Sequence, residues 1–410
     1  MGINSCGTTL IDEGTFKNIG AITWDTTAKT GNFTAVSGNG YFVNTTSGAI
    51  TVTLPSSPGA GDVVAVADYA NTFDTNNVTI ARNGSNIEGQ AGDFKAEIEG
   101  LSILLIYVDS TKGWVSIDSG QASSINNAEF ITATGGTITT VGNFKFHRFT
   151  GPGTFTVCSV GNAAGSNSVD TVIVAGGAGG AYNSGGGGAG GLRDITSIPV
   201  TATGYPITVG GGGAGGTNPS RTGASGSNSV AALSTSYTSN GGGGGGSAGV
   251  DGGSGGGSGA RCTPDPGGVG NTPPVSPPQG NPGGAYNITS YSCQGSTGGG
   301  GATTAGTAKG QGDGAPGTAG GNGKDVSTNY PGQPNSGVYA GGGGGGACQA
   351  SGGTGGTGGP GGGGNGGGPP STGSAGTTNA GGGGGGGTSG SGGGGGNGGS
   401  GIVIIRYKFQ

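Results

Sequence analysis

The chain has 410 residues, enough for two or three domains, yet only 30% of them are hydrophobic, 8% are charged, and the formal net charge is -5. An apolar core must therefore be unevenly distributed, and 14 Lys and Arg spread over this length cannot form the basic stripe that nucleic acid demands. Glycine fills 113 positions, about a quarter of the chain against roughly 7% in an average protein.

Residues 1–20 are expected to form an N-terminal attachment segment. The start, MGINSCGTTL, has neither the charged nor the apolar region of a signal peptide, and Cys6 stands where a myristoylation signal wants Ser or Thr. No stretch approaches the ~18 consecutive apolar residues of a membrane span, so no membrane insertion is expected.

Residues 21–120 read as a β-strand module. Gly40 to Val43, Ile50 to Leu54, Asp62 to Val66, Val78 to Ile80, Ile103 to Val108 and Trp114 to Ile117 are apolar or alternating runs rich in β-formers. Turn residues separate them: Pro55 to Gly59, Asn83-Gly84 and Lys112-Gly113. A short helix is expected around Phe94 to Glu99.

Residues 121–175 read as a connector and a small β-element, in which Phe144, Phe146, Phe149, Phe155 and Val157 alternate with polar neighbours. The run Thr171-Val-Ile-Val-Ala175 then ends directly in Gly176-Gly177. Composition changes abruptly there. Residues 1 to 175 hold 23 glycines and residues 176–401 the other 90, while all five glutamates, Glu13, Glu88, Glu97, Glu99 and Glu129, lie before the change.

Within 176–401, glycine runs such as 185 to 188, 241 to 246, 341 to 346 and 381 to 387 alternate with insertions carrying proline, tyrosine and cysteine. Collagen is excluded, because the runs keep no strict period of three. A disordered tail would not be bracketed by apolar strands, here Val172 to Val174 and, in the terminal segment 402–410, Ile402 to Ile405. The remaining reading is a glycine-rich domain of packed polyglycine II helices, the polyproline II-like form with three residues per turn, capped by β-strands. Ordering each residue costs about 1–2 kcal/mol and a hydrogen bond returns only about 1 kcal/mol net, so such a bundle needs its apolar strands as clamps. The expected fold is an all-β N-terminal module plus this domain, with very little α-helix.

The stretches Asp170 to Gly180, Gly185 to Arg193, Tyr205 to Gly210 and Gly399 to Tyr407 resemble the glycine-rich domain of phage tail fibres and related virion proteins, over about residues 145 to 410. The segments Gly40 to Thr46, Leu54 to Asp62 and Tyr107 to Trp114 are similar to modules of cyanophage and other marine-phage fibre proteins. The resemblance implies a bacteriophage virion protein made in the host cytoplasm, a tail fibre or tip adhesin that binds a cell-surface glycan or outer-membrane protein. It also implies contacts with other tail proteins and a homotrimer. Polyglycine-bundle adhesins of T-even-type fibres touch their receptor through loops between the glycine helices, which adds an architectural analogy. A purely structural virion component is the first alternative and a polysaccharide-degrading fibre enzyme a remote one.

The residues support binding over catalysis, and neither an enzyme nor a cofactor is expected. GxGxxG patterns carry no information at this glycine content, and no run is followed by Lys-Ser or Lys-Thr. His147 is the one histidine, and on an alternating strand it reads as a strand residue. Glu97 and Glu99 read as a solvated face. The five cysteines, Cys6, Cys158, Cys262, Cys293 and Cys348, show no metal-ligand spacing. Cys262 and Cys293 flank a proline-rich insertion and either close it by a disulfide outside the reducing cytosol or stay free and buried. Tyr286, Tyr291, Tyr330 and Tyr339 are the candidate receptor-binding residues, because aromatic rings give large contact area at low entropy cost; the competing role is to pin their own loops. The insertion Arg261 to Gly295 is expected to project from the bundle.

Overall fold

The computed structural model describes residues 4–5, 8–9, 22–118, 128–162, 165–259, 264–289, 294–349, 352–388 and 393–410. The chain divides into two compact units, Met1–Glu129 and Phe130–Gln410. It is nearly all β, and Asn335–Gly337 is a single 3-10 turn.

The first unit begins with the short pair β1 (Asn4–Ser5) and β2 (Thr8–Thr9). Then β3 (Thr23–Lys29), β5 (Asn39–Val43), β7 (Val63–Asp68), β10 (Ser102–Asp109) and β11 (Gly113–Asp118) form one sheet in the order β11-β10-β7-β5-β3. The intervening β4 (Phe33–Thr34), β6 (Ile50–Thr53) and β8 (Val78–Ala81), with β9 (Phe94–Ala96), form a second sheet. From β3 to β8 the chain steps alternately between the two sheets, and successive strands within each sheet are parallel. Alternation along each strand then buries one face: Tyr41, Val43, Val64, Val66, Ile103 and Leu105 meet Val52, Ile80 and Phe94 of the other sheet in one core with Trp114. The helix expected around Phe94 is instead β9, antiparallel to β8 with Phe94 opposite Ile80, because burying Phe94 and Ala96 on one strand face outweighs a weak local helix preference.

The second unit starts at Phe130, so the small β-element belongs with the glycine-rich chain and the composition change at 176 is not a structural boundary. Its strands β12 (Thr132–Thr134), β15 (Gly153–Ser159), β18 (Gly204–Thr208), β19 (Ser229–Ala232) and β20 (Ser236–Ser239) form one sheet. A second contains β13 (Thr137–Val141), β14 (Phe144–Phe149), β23 (Ile402–Lys408), β16 (Ser168–Val174) and β17 (Leu192–Pro199), in that order. Between the two sheets lie Phe155, Tyr205 and Ile207 of the first and Ile173, Val403 and Ile405 of the second. The opposite face of the second sheet, with Phe146, Val172, Val174, Ile402 and Ile404, is covered by Val326, Tyr330 and Tyr339. Burial on both faces explains why β16 and β23 read as unbroken apolar runs. The two flanks of the glycine-rich chain are thus neighbours, with Val174 opposite Ile402.

Several of these strands continue straight into glycine-rich segments: β16 into 175–182, β18 into 210–216, β20 into 241–246, while 185–191 leads back into β17 and 393–401 into β23. A short ladder of β21 (Lys324–Asp325) and β22 (Val338–Tyr339) frames the loop that carries Tyr330.

Candidate functional site: the turns of the glycine bundle

The segment 176–182 shows how the glycine chain is held. The N–H groups of Gly176, Gly179 and Tyr182 donate to Ser227, Ala224 and Arg221; those of Gly177 and Gly180 donate to Gly399 and Gly396; those of Ala178 and Ala181 donate to Gly188 and Gly185. Successive donors therefore face three different neighbours and return to the first on the fourth residue. The carbonyls do the same with three further segments, accepting from Gly242 and Gly245, from Gly213 and Gly216, and from Gly384 and Gly387. The run 341–346 repeats the cycle, with partners at 361 and 364, 321 and 318, and 187 and 184. Backbone polar groups buried in this way are satisfied by other backbone, as burial requires.

Such packing leaves no room for side chains at the glycine positions. A Cβ on Gly180 would lie 2.0 Å from the Gly385 carbonyl oxygen, and one on Gly177 2.1 Å from that of Gly382. Larger side chains are consequently displaced to the turns, and these fall into two sets.

Near the strands lie the turns that hold the tyrosines singled out in the sequence. Tyr330 is 1% exposed, edge-on to Phe146, with the Arg406 guanidinium 4.9 Å from its ring centre. Arg406 is fixed in turn by Asp170, at 2.9 Å from both Nε and Nη2. Burial pushes the Tyr330 hydroxyl pKa strongly upward. Tyr339 is fully buried, donates to the Pro334 carbonyl at 2.8 Å, and burial pushes its pKa up to about 12. Deeper in the bundle, Tyr286 is 3% exposed and exchanges backbone hydrogen bonds with Asp265 at 2.7 and 2.8 Å. These three rings are packed into the chain's own core, so pinning of their loops is the role the geometry supports; no ring surface is left for a receptor. Tyr291 lies outside the described residues, as do Cys6, Cys262 and Cys293. Of the other cysteines, Cys158 is an exposed free thiol and Cys348 is buried and disulfide-bonded.

The stretch from 264 to 289 does not project as a loop. Gly268 donates to Gly256, Gly283 to Gly268, and Gly255 to Asn281, so both its arms are bundle segments. Pro273, Pro274, Pro277 and Pro278 sit in the crossing beside the strands, where the buried Gln279 receives the Asn240 N–H on its side chain at 2.8 Å and the Leu192 N–H on its carbonyl at 2.7 Å. Glycine on either side lets this chain join the lattice, which outweighs the loop-forming tendency of proline.

At the end away from the strands a second set of turns gathers. Ser184 ties them together: its hydroxyl lies 2.7 Å from the Gly246 carbonyl and 3.0 Å from that of Gly259, while its own carbonyl accepts from Gly346. Around it stand the half-buried Tyr182 and Asn183, the exposed turn Thr217 to Arg221, Ala248, the turn Gln311 to Asp313, Gln349, and Pro370 to Thr372. Tyr182 donates its N–H to the Arg221 carbonyl at 2.7 Å, and Gln311 donates to the Thr289 hydroxyl at 2.9 Å. Buried beneath them, Lys309 donates to the carbonyls of Pro316 (2.6 Å) and Asp313 (3.4 Å), and burial lowers its pKa. Among the described residues this end presents Asn, Ser, Thr, Gln and Pro with Tyr182, Arg221 and Asp313, a composition close to that of adaptable recognition loops. The sequence signal for it was Tyr182-Asn-Ser184 and Asn218-Pro-Ser-Arg221 between glycine runs, short polar interruptions easily passed over beside the longer proline-rich one.

His147 is wholly buried between Gly135, whose carbonyl lies 2.8 Å from Nδ1, and the Tyr407 hydroxyl, 3.1 Å from Nε2. It stacks on Tyr407 and is a core residue of its strand. Glu97 accepts from Asn77 at 2.9 Å and lies 3.6 Å from Lys95, an exposed surface arrangement.

A family model described as a glycine-rich domain matches residues 150–408, and the chain belongs to that family. No curated protein matches the chain.

Proposed function

We propose that the chain is an attachment protein of a tailed bacteriophage, a tail fibre or fibre-tip component that contacts the host surface through the turns at the end of the glycine bundle away from the strands. The observation that carries this reading is the segregation of side chains. At its glycine positions the bundle interior excludes them, the turns beside the strands use theirs for internal packing, and among the described residues the far turns combine exposure with a firm base. On this reading the three-residue cycle of donors is that of polyglycine II helices, and the bundle is a rigid mount that lowers the ordering cost of binding. The partner is a glycan or an outer-membrane protein, met by a polar surface in which, among the described residues, Tyr182 and Arg221 supply the largest side chains.

The test is adsorption of assembled particles carrying Tyr182→Ala together with Arg221→Ala. A several-fold or larger fall in adsorption is expected with particle assembly unchanged, since surface side chains outside a core rarely alter stability by more than about 0.5 kcal/mol. Unchanged adsorption refutes these turns as the contact. Failure to assemble supports the structural virion role instead.

A further inference from the structure

The two edges of the sheet that contains β23 are treated differently. At the β17 edge the Leu192 N–H donates to the Gln279 carbonyl, and Pro277 and Pro278 stand alongside with no N–H to offer. The other edge is β13, Thr137–Val141. It joins β14 through the two-residue turn Gly142-Asn143, opened by Gly142 at φ 57°, so that Val141 stands opposite Phe144, Thr139 opposite Phe146 and Thr137 opposite Arg148. In a hairpin closed this tightly the residues flanking the turn hydrogen-bond each other, and such pairs recur at every second position. Thr137, Thr139 and Val141 therefore direct their backbone groups at β14, while Ile138 and Thr140 direct theirs outward. Among the described residues nothing donates to or accepts from those outward groups. The strand is also open to solvent: Ile138 is 45% exposed and Val141 41%, and Thr137 and Thr140 are exposed. Edges are usually blunted by charge, proline or a bulge. The sequence Thr-Ile-Thr-Thr-Val has neither charge nor proline, and its register to β14 is unbroken.

We propose that β13 is a docking edge for β13 of a second copy, the two strands pairing antiparallel about Thr139 to extend one sheet into the next. The strand itself argues for this occupant. A twofold axis at Thr139 sets Ile138 against the partner's Thr140, and these are the residues whose backbone groups are free. Each Ile138 N–H then meets the partner's Thr140 carbonyl, and each Thr140 N–H the partner's Ile138 carbonyl. A shift of one residue would set free groups against groups already used by β14. The same axis sets Thr137 against the partner's Val141, so every opposed pair is of β-branched residues, which pack well across strands. Like charges stay apart, because β14, which carries Lys145 and Arg148, lies about three strand spacings, or about 14 Å, from its copy, beyond the Debye length of about 8 Å. A strand of this length spans only about 17 Å and buries far less than the about 800 Å² per partner of a standard interface, so the pairing is weak and depends on concentration. This inference is independent of the attachment reading.

Sedimentation analysis of the full chain from about 1 to 100 μM, with amide hydrogen exchange on the same samples, tests it. The expected result is a mass that rises from one chain toward two, with exchange at Ile138 and Thr140 slowing as it rises. Thr140→Pro removes an N–H that β14 does not use and should lower the association constant tenfold or more. Its circular dichroism spectrum should be unchanged, since proline is accepted on an edge whose N–H faces solvent. Val250→Lys, at an exposed position elsewhere in the second unit, should associate as the unaltered chain does. A single-chain mass throughout the range overturns the proposal, as does association that survives Thr140→Pro or leaves exchange at Ile138 and Thr140 unchanged. Should Thr140→Pro misfold, Ile138→Lys, which sets a charge at an exposed position of the same edge, takes its place with the same outcomes.

Discussion

The first unit and the glycine bundle solve the problem of burial in opposite ways. In the first unit, side chains fill the space between two sheets, and backbone groups pair within those sheets. In the bundle, backbone meets backbone from several directions and at the close-contact glycines the side chain is what must be absent. Hydrophobic burial stabilises the former by about 25 cal/mol per Å² of apolar surface. The latter gains almost none of this, and glycine loses the most freedom on ordering. The bundle therefore depends on satisfying every buried N–H and C=O and on the apolar strands that continue from its segments. A core of side chains is damaged most by loss of volume, and a core of backbone by the gain of a single atom.

The sharpest way to break the comparison is to add one methyl group. Gly180→Ala places a Cβ 2.0 Å from a carbonyl oxygen that belongs to a rigid neighbour, and loss of soluble folded protein is expected, an effect beyond about 4 kcal/mol. Gly211→Ala, in a glycine with no atom within 4 Å of the added carbon, should change the melting temperature little. Equal effects of the two would show that close backbone approach does not control the bundle.

In the first unit the larger danger is removal of atoms. Leu105 is 1% exposed in the core, and Leu105→Ala should destabilise that unit by about 2–5 kcal/mol, against under about 1.5 kcal/mol for Leu105→Met. Chemical denaturation followed by the fluorescence of Trp114, buried in the same core, reads this; a midpoint unchanged by the alanine substitution would contradict the side-chain account.

A smaller effect sharpens the picture at the junction of strands and bundle. Burial lowers the pKa of His147, so the folded chain prefers the neutral ring. The unfolded chain protonates at about pH 6.5. Stability from this group is thus complete above that pH and is lost as the pH falls from it toward the lowered folded value. Since His147 is the one histidine, its ring resonances can be followed directly by NMR; a titration midpoint above 6.5 would reverse the sign.

Much of the fold was legible because period and composition report burial directly. β5 to β8, β10 and β11 follow apolar or alternating runs, and the unbroken runs of β16 and β23 announced apolar strands at the two ends of the glycine-rich chain. What escaped were features set by distant partners. Thr23–Lys29 and Phe33–Thr34 have little apolar pattern of their own and are strands through parallel pairing with β5 and β6. Parallel alternation between two sheets leaves no local mark, because the same turn residues serve a meander. Among site residues, Tyr286, Tyr330 and Tyr339 look alike in sequence whether they face a receptor or the chain's own core; Arg406 and Asp265, which meet Tyr330 and Tyr286, lie tens of residues away.

The three-residue donor cycle also governs how this chain can change length. Deleting one glycine from 381–387 would rotate each later N–H of the run by a third of a cycle, so the Gly386 donor meant for Gly344 would point at the neighbour that carries Ser374, and the Gly387 donor meant for Ala181 at the neighbour that carries Gly344. Deleting three would restore every direction. Segment length is thus quantised, with a reading frame written in hydrogen bonds, whereas the turns between segments carry no such frame. Variation in number and kind of residues can accumulate at the turns while the segments that hold them stay in phase.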